Sequence, residues 1–110
     1  MNSVKPLVMI SQPMNGKSNE EILEQRNMIT SELEKLGYEV LNTFYTDFSN
    51  DEKIMNELNV INKPLYYLGK SLQDMSRCNA IYFADGWEKY RGCTIEHECA
   101  IAYGLKIIHH

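Results

Sequence analysis

The chain has 110 residues, 44% of them hydrophobic and 24% charged, with a formal net charge of −4. That length suits one domain around a single core, expected here over residues 1–110. The acidic balance excludes the basic footprint that a nucleic-acid polymer needs, and no apolar run reaches membrane-spanning length.

Leu7-Val8-Met9-Ile10 is continuously apolar, so Lys5 to Ser11 reads as a buried first strand. The start of the chain carries neither the long apolar region nor the small-residue cleavage site of a secretory signal, and a cytoplasmic protein is expected. Gln12 to Ser18 is a loop punctuated by Pro13 and Gly16. Ser18 or Asn19 can cap the helix that follows, and Glu20 and Glu21 suit its positive end. Ile22, Ile29, Leu33 and Leu36 recur at helical steps with Arg26 as the polar exception on that stripe, and Gly37 stops the helix.

Tyr38 to Asn42 is a short second strand. From Thr43 to Asn62 the pattern is weakest: a polar turn at Ser49-Asn50-Asp51, then a helical run from Glu52 to Ile61. Asp51, Glu52, Lys53 and Glu57 read as its solvated face. Pro64 opens another helix with Leu65, Leu68, Leu72 and Met75 as its apolar stripe; Tyr66-Tyr67 is half-buried packing or an oligomer face. Asn79 to Ala84 is the third strand, Gly92 to Tyr103 the last helix and Leu105 to Ile108 the fourth strand.

Strands alternating with helices, joined by right-handed crossovers, give an α/β fold. The expected architecture is a three-layer sandwich, flavodoxin- or Rossmann-like, around a parallel sheet of four or five strands in the order 2-1-3-4. The switch point then falls between the first and third strands. The Gln12–Ser18 and Asp85–Gly92 loops leave those strands and face each other across one crevice, the usual ligand site of open α/β sheets.

Three cysteines without a secretory signal argue against a disulfide framework; Cys78 and Cys99 read as buried thiols and Cys93 sits in the crevice loop. No metal-ligand spacing is present. Glu96-His97-Glu98 puts neighbours on different helix faces, and no second His follows one turn after His97. His109 and His110 receive no role, and no cofactor or metal is expected.

The chemistry concentrates between Asp85 and Glu98. Glu96 offers a carboxylate near the start of the last helix, where free N–H groups would help keep it ionised, Arg91 a cation, and Gly86 and Gly92 close backbone approach. Trp87 and Tyr45 can stack on a base, although Trp87 equally suits a lid over the core or a subunit contact. Ser11, Gln12, Pro13, Met14, Asn15 and Gly16 form the facing loop, with Ser11, Asn15 and Gly16 able to touch a sugar or 5′-phosphate, or to serve only as turn residues. Arg91 suits a phosphate or base edge, or a surface ion pair.

Ile10-Ser11-Gln12-Pro13-Met14-Asn15-Gly16, Cys78-Asn79-Ala80-Ile81-Tyr82-Phe83, and Gly86-Trp87-Glu88 through Arg91-Gly92 to Glu96-His97 together resemble the nucleoside 2-deoxyribosyltransferase-like superfamily. They are closest to its small bacterial and phage branch with "SGPM-TG" and "GWE-SRG-EH" segments. The resemblance implies that Glu96 is a nucleophile on the anomeric carbon of a nucleoside or nucleotide, with Ala100 and Gly104 completing the family's helix pattern. It also implies a homodimer or larger homo-oligomer. Many relatives carry an aspartate in the preceding helix where this chain has Ser71; Asp74, three residues on, is the candidate substitute. His97 and Glu98 replace the apolar-Gly pair of the better-studied enzymes. The expected activity is therefore cleavage or transfer of an N-glycosidic bond. The alternative is a nucleotide-binding protein that has kept the pocket without the chemistry. A pyrimidine hydroxymethyl transfer would need a folate site and Cys93 as a reactive thiol.

Overall fold

The computed structural model of the chain describes residues 4–110. Four strands form one wholly parallel sheet: β1 (Leu7–Ser11), β2 (Glu39–Val40), β3 (Ala80–Phe83) and β4 (Lys106–His109). They stand in the order β2-β1-β3-β4, so the architecture is the expected one, with the switch point between β1 and β3. Val8 pairs with Ala80 and Ser11 with Phe83, which brings the carboxyl ends of the two central strands level.

Alternation along the central strands sends side chains to two cores. Val8, Ile10 and Tyr82 face α1 (Asn19–Lys35), where Ile29 and Leu33 close on them. Met9, Ile81 and Phe83 face the other way, onto Met75 of α3 (Lys63–Met75) and Ala100 of α4 (Arg91–Ala102). Helices on both faces explain why the central strands are apolar from Leu7 to Ile10 and from Ala80 to Phe83, since neither has a solvent side. Cys78 and Cys99, expected as buried thiols, pack half-buried at the margin of the second core.

The helix ends follow local chemistry. Ser18 caps α1 by accepting from the Glu21 N–H, and Gly37 ends it at φ 93°, a left-handed conformation that a Cβ would disfavour. Asn62 caps α3 in the same manner through the Leu65 N–H, with Pro64 in the first turn. Two stripe residues depart from expectation: Leu36 and Leu65 are 69% and 61% exposed, each at the last or first turn of its helix and beyond the sheet's cover.

The weakly patterned segment also differs. Its helix, α2, runs Ser49–Glu57 rather than from Glu52 to Ile61. Asp47 accepts from the Ser49 N–H and hydroxyl, which starts the helix early. Asn59, at φ 55°, ends it, and the Val60 N–H turns back to the Met55 carbonyl. Nor is Asp51 solvated. It is buried, ion-paired to Lys70 at 2.9 Å and bonded by the Tyr66 hydroxyl at 3.0 Å, which holds its carboxyl below the usual range and ties α2 to α3. No helix among the described residues is long and apolar enough to cross a membrane.

Candidate active site

A cleft of about 1060 Å³ opens beyond the carboxyl ends of β1 and β2, between the loop after β1, α3 and the first turns of α4. Its size is at the upper end of small-molecule sites, roughly 300–1,000 Å³. Gln12, Pro13, Met14 and Lys17 of the loop after β1 line the cleft, whereas the expected facing loop, Asp85–Gly92, reaches it only through Tyr90 and through Arg91 and Gly92, the first residues of α4.

Glu96 is the centre. It is 8% exposed, lines the cleft, and has no cation within ion-pair distance among the described residues. The Ser11 hydroxyl donates to Oε1 at 2.8 Å and the Ser71 hydroxyl donates to Oε2. A carboxylate accepts more bonds than two, so each oxygen keeps a lone pair for a ligand. Burial raises the Glu96 pKa above the usual glutamate range, and the bonds from Ser71 and Ser11 pull it back. α4 begins at Arg91, five residues earlier, so Glu96 lies beyond the free N–H groups of the helix end. Two serines, rather than the helix terminus, favour its charged form.

The Ser71 hydroxyl is committed to Glu96. Asp74 lines the cleft one turn further along α3 and accepts from the Tyr45 hydroxyl at 2.9 Å. The Tyr45 ring lies 4.1 Å beneath the Lys70 ammonium, a cation–π contact that steadies an aromatic side chain in the cleft wall. The bond to Asp74 and burial both make the phenol harder to ionise, burial more so.

Four expected site residues lie elsewhere. Asn15 and Gly16 do not line the cleft, because the Lys17 N–H bonds back to the Met14 carbonyl and turns the loop tip outward, with Gly16 at φ 82°. Gly86 and Trp87 are also outside it. A turn of 3₁₀ helix at Trp87–Lys89, entered through Gly86 at φ 83°, folds the indole back against Phe83 and stacks it on His97 at 4.2 Å. Cys93 is buried in the cleft wall, where burial pushes its thiol up and away from the reactive thiolate.

The structure adds residues that periodicity could not reveal. Arg26, the polar exception on the α1 stripe, is buried and lines the cleft, and Thr43 and Phe44 reach it from the segment after β2. The signal was present: a buried-stripe position occupied by arginine needs a polar neighbourhood. Among the described residues, no group of three His, Cys, Asp or Glu side chains could hold a metal ion.

A family profile described as a domain of unknown function (DUF4406) matches residues 6–109. No curated protein and no solved structure matches the chain.

Proposed function

The chain belongs to the DUF4406 family, and we propose that it cleaves or transfers the N-glycosidic bond of a (deoxy)nucleoside or nucleoside 5′-monophosphate, as an enzyme of the nucleoside 2-deoxyribosyltransferase-like kind. The single observation that carries this reading is the state of Glu96: a buried carboxylate lining a large cleft, unpaired by any cation and aimed by two hydroxyl donors. Structural carboxylates at such depth are normally ion-paired, as Asp51 is by Lys70. One left for a ligand suits chemistry at an electron-poor carbon.

In the proposed reaction a Glu96 oxygen bonds to the anomeric carbon as the carbon–nitrogen bond breaks, and the electron pair leaves with the base. Desolvation makes the carboxylate a stronger nucleophile, and its charge lies under the oxocarbenium-like transition state. A proton for the departing base comes by way of Asp74 or from solvent. Water or a second base then attacks the same carbon, releasing Glu96 with net retention. Tyr45 and Arg91 line the cleft where base and polar substituents would lie. The protein acts on a small molecule, and a homodimer or larger assembly accompanies the reading.

One observation favours a second reading, a nucleotide-binding protein without turnover. Ser71 occupies an acid's place and is committed to Glu96, so the leaving base has lost one proton donor. A panel of nucleosides and monophosphates separates the two. Release of free base, with a sugar adduct on Glu96 in intact-protein mass spectra, supports the enzyme. Ligand-dependent thermal stabilisation without release of any base supports the binding protein.

A further inference from the structure

The least explained group in the cleft is Arg26. It is 5% exposed, yet no carboxylate lies within ion-pair distance of it among the described residues. Its partners are neutral acceptors: Nε donates to Gln12 Oε1 at 3.1 Å, Nη1 to Thr43 Oγ1 at 3.1 Å, and Nη2 to the Ile10 carbonyl at 3.4 Å. Gln12 is held in that orientation because its amide nitrogen donates to the Ile22 carbonyl at 2.9 Å and to Gln25 Oε1 at 2.7 Å. A guanidinium carries five N–H donors. Three are used, leaving one on each Nη without a protein acceptor among the described residues.

Burial works against the charge of Arg26, and proteins normally offset a buried cation with an anion. Here the fold builds a rigid frame around the cation and omits the anion. A second observation points the same way. In a chain of net charge −4, the cleft is lined by four cations, Lys17, Arg26, Lys70 and Arg91, against two carboxylates, Asp74 and Glu96; with Lys70 paired to Asp51, three cations remain. The cleft is thus locally basic on an acidic molecule, which draws small anions to it.

We propose that Arg26 is the floor of an anion subsite that takes the phosphate of a phosphorylated sugar, so that the substrate is a nucleoside 5′-monophosphate rather than a free nucleoside. The identity of the anion rests on the glycosidic reading; the existence of the subsite does not. The two groups flank the end of one strand: Ser11 holds Glu96, and the carbonyl of Ile10, the residue before it, holds Arg26. Arg26 and Glu96 line the same cleft, so in this proposal a nucleotide with its anomeric carbon at Glu96 directs its phosphate to the two free Nη donors, which suit a bidentate grip on two oxygens. Arg91, the cation expected for this task, lies exposed at the opening of α4 and is left to the rim.

Ribose 5-phosphate and ribose test the subsite without a base or a reaction. Titrated against the wild-type protein and Glu96→Gln, ribose 5-phosphate raises Tm in both, and ribose at equal concentration does not. Arg26→Gln weakens ribose 5-phosphate binding about 10–100-fold, while Arg91→Gln keeps most of it. Arg26→Lys, which preserves the charge on a long stem, retains part of the phosphate preference and serves should the glutamine variant fail to fold by circular dichroism. Equal responses to the two sugars, no response to either, or a preference for phosphate that survives in Arg26→Gln and vanishes in Arg91→Gln overturns the proposal. Base release measured in parallel keeps the two readings apart: phosphate-selective binding without turnover supports the subsite and removes the glycosidase.

Discussion

Glu96 and His97 are adjacent in the chain and belong to opposite worlds. Glu96 enters a polar cleft where two serines hold it and no cation neutralises it. His97 leaves by the other side of α4 into an aromatic stack, 4.2 Å from the Trp87 ring and 4.9 Å from Phe83. The segment that reads as one motif, Gly86 to Glu98, thus divides between two tasks. Its first half and His97 fasten α4 to the sheet, whereas Arg91, Gly92 and Glu96 face the ligand space. A run of unusual residues need not all touch the substrate, since placing a helix to within a fraction of an ångström is itself part of building a site.

The largest effect should come from the cleft side. Glu96→Gln preserves shape and both serine contacts but removes the proposed nucleophile, so base release should fall by about 10³-fold or more with binding of the ligand retained. Single-turnover assays beside thermal-shift titrations check both parts. A variant that turns over normally would show that the aromatic side, not the cleft, holds the chemistry.

The reverse experiment is Trp87→Ala. Losing a half-buried indole that packs on Phe83 and His97 should cost about 2 kcal/mol of stability, seen as a lower urea midpoint. KM of the remaining folded protein should barely change. A raised KM with an unchanged midpoint would return Trp87 to the ligand side and erase the division.

The same division marks what was legible in the chain. Fold class and strand order followed from apolar runs and punctuating Gly and Pro, because a parallel sheet covered on both faces leaves that signature. Glu96 was legible from its motif. Arg26 was visible only as an anomaly on its stripe, since a period says which residues share a face and not what stands opposite. The segment from Thr43 to Asn62 was misread for the same reason: the early start of α2 and the burial of Asp51 depend on Asp47 and on Lys70, one beside the helix and one on another helix. For Trp87 the motif leaves a base-stacking role and a lid over the core equally open, and the 3₁₀ turn decides for the lid by folding the indole onto Phe83.

A smaller effect sharpens the cleft side. The Ser71 hydroxyl donates to the Glu96 carboxylate and so favours its charged form. Ser71→Ala removes that bond, and the Glu96 pKa rises further. The protonated, inactive form then persists to higher pH, so the acid limb of the kcat/KM profile should move upward. On the acid side of that limb the loss should be about 10-fold, the order of one hydrogen bond to a charged group. An unmoved acid limb would mean that another group sets it.

The smallest effect concerns stability and carries the opposite sign. Burial holds the Glu96 pKa in the folded protein above its value in the unfolded chain. Between those two values the folded state binds more protons, so stability falls as pH rises through that window. Below the ordinary glutamate range the carboxyl is neutral in both states, and the wild type and Glu96→Gln should melt close together. Above the window the wild type carries an unpaired buried charge that glutamine lacks, and the variant should be more stable by about 1 kcal/mol, or about 4–8 °C in Tm. A gap that opens with rising pH is what a site held against its own stability must display. Glu96→Gln melting below the wild type at neutral pH would mean that the folded protein stabilises this carboxylate as it does Asp51, which would remove the reason to regard it as waiting for a substrate.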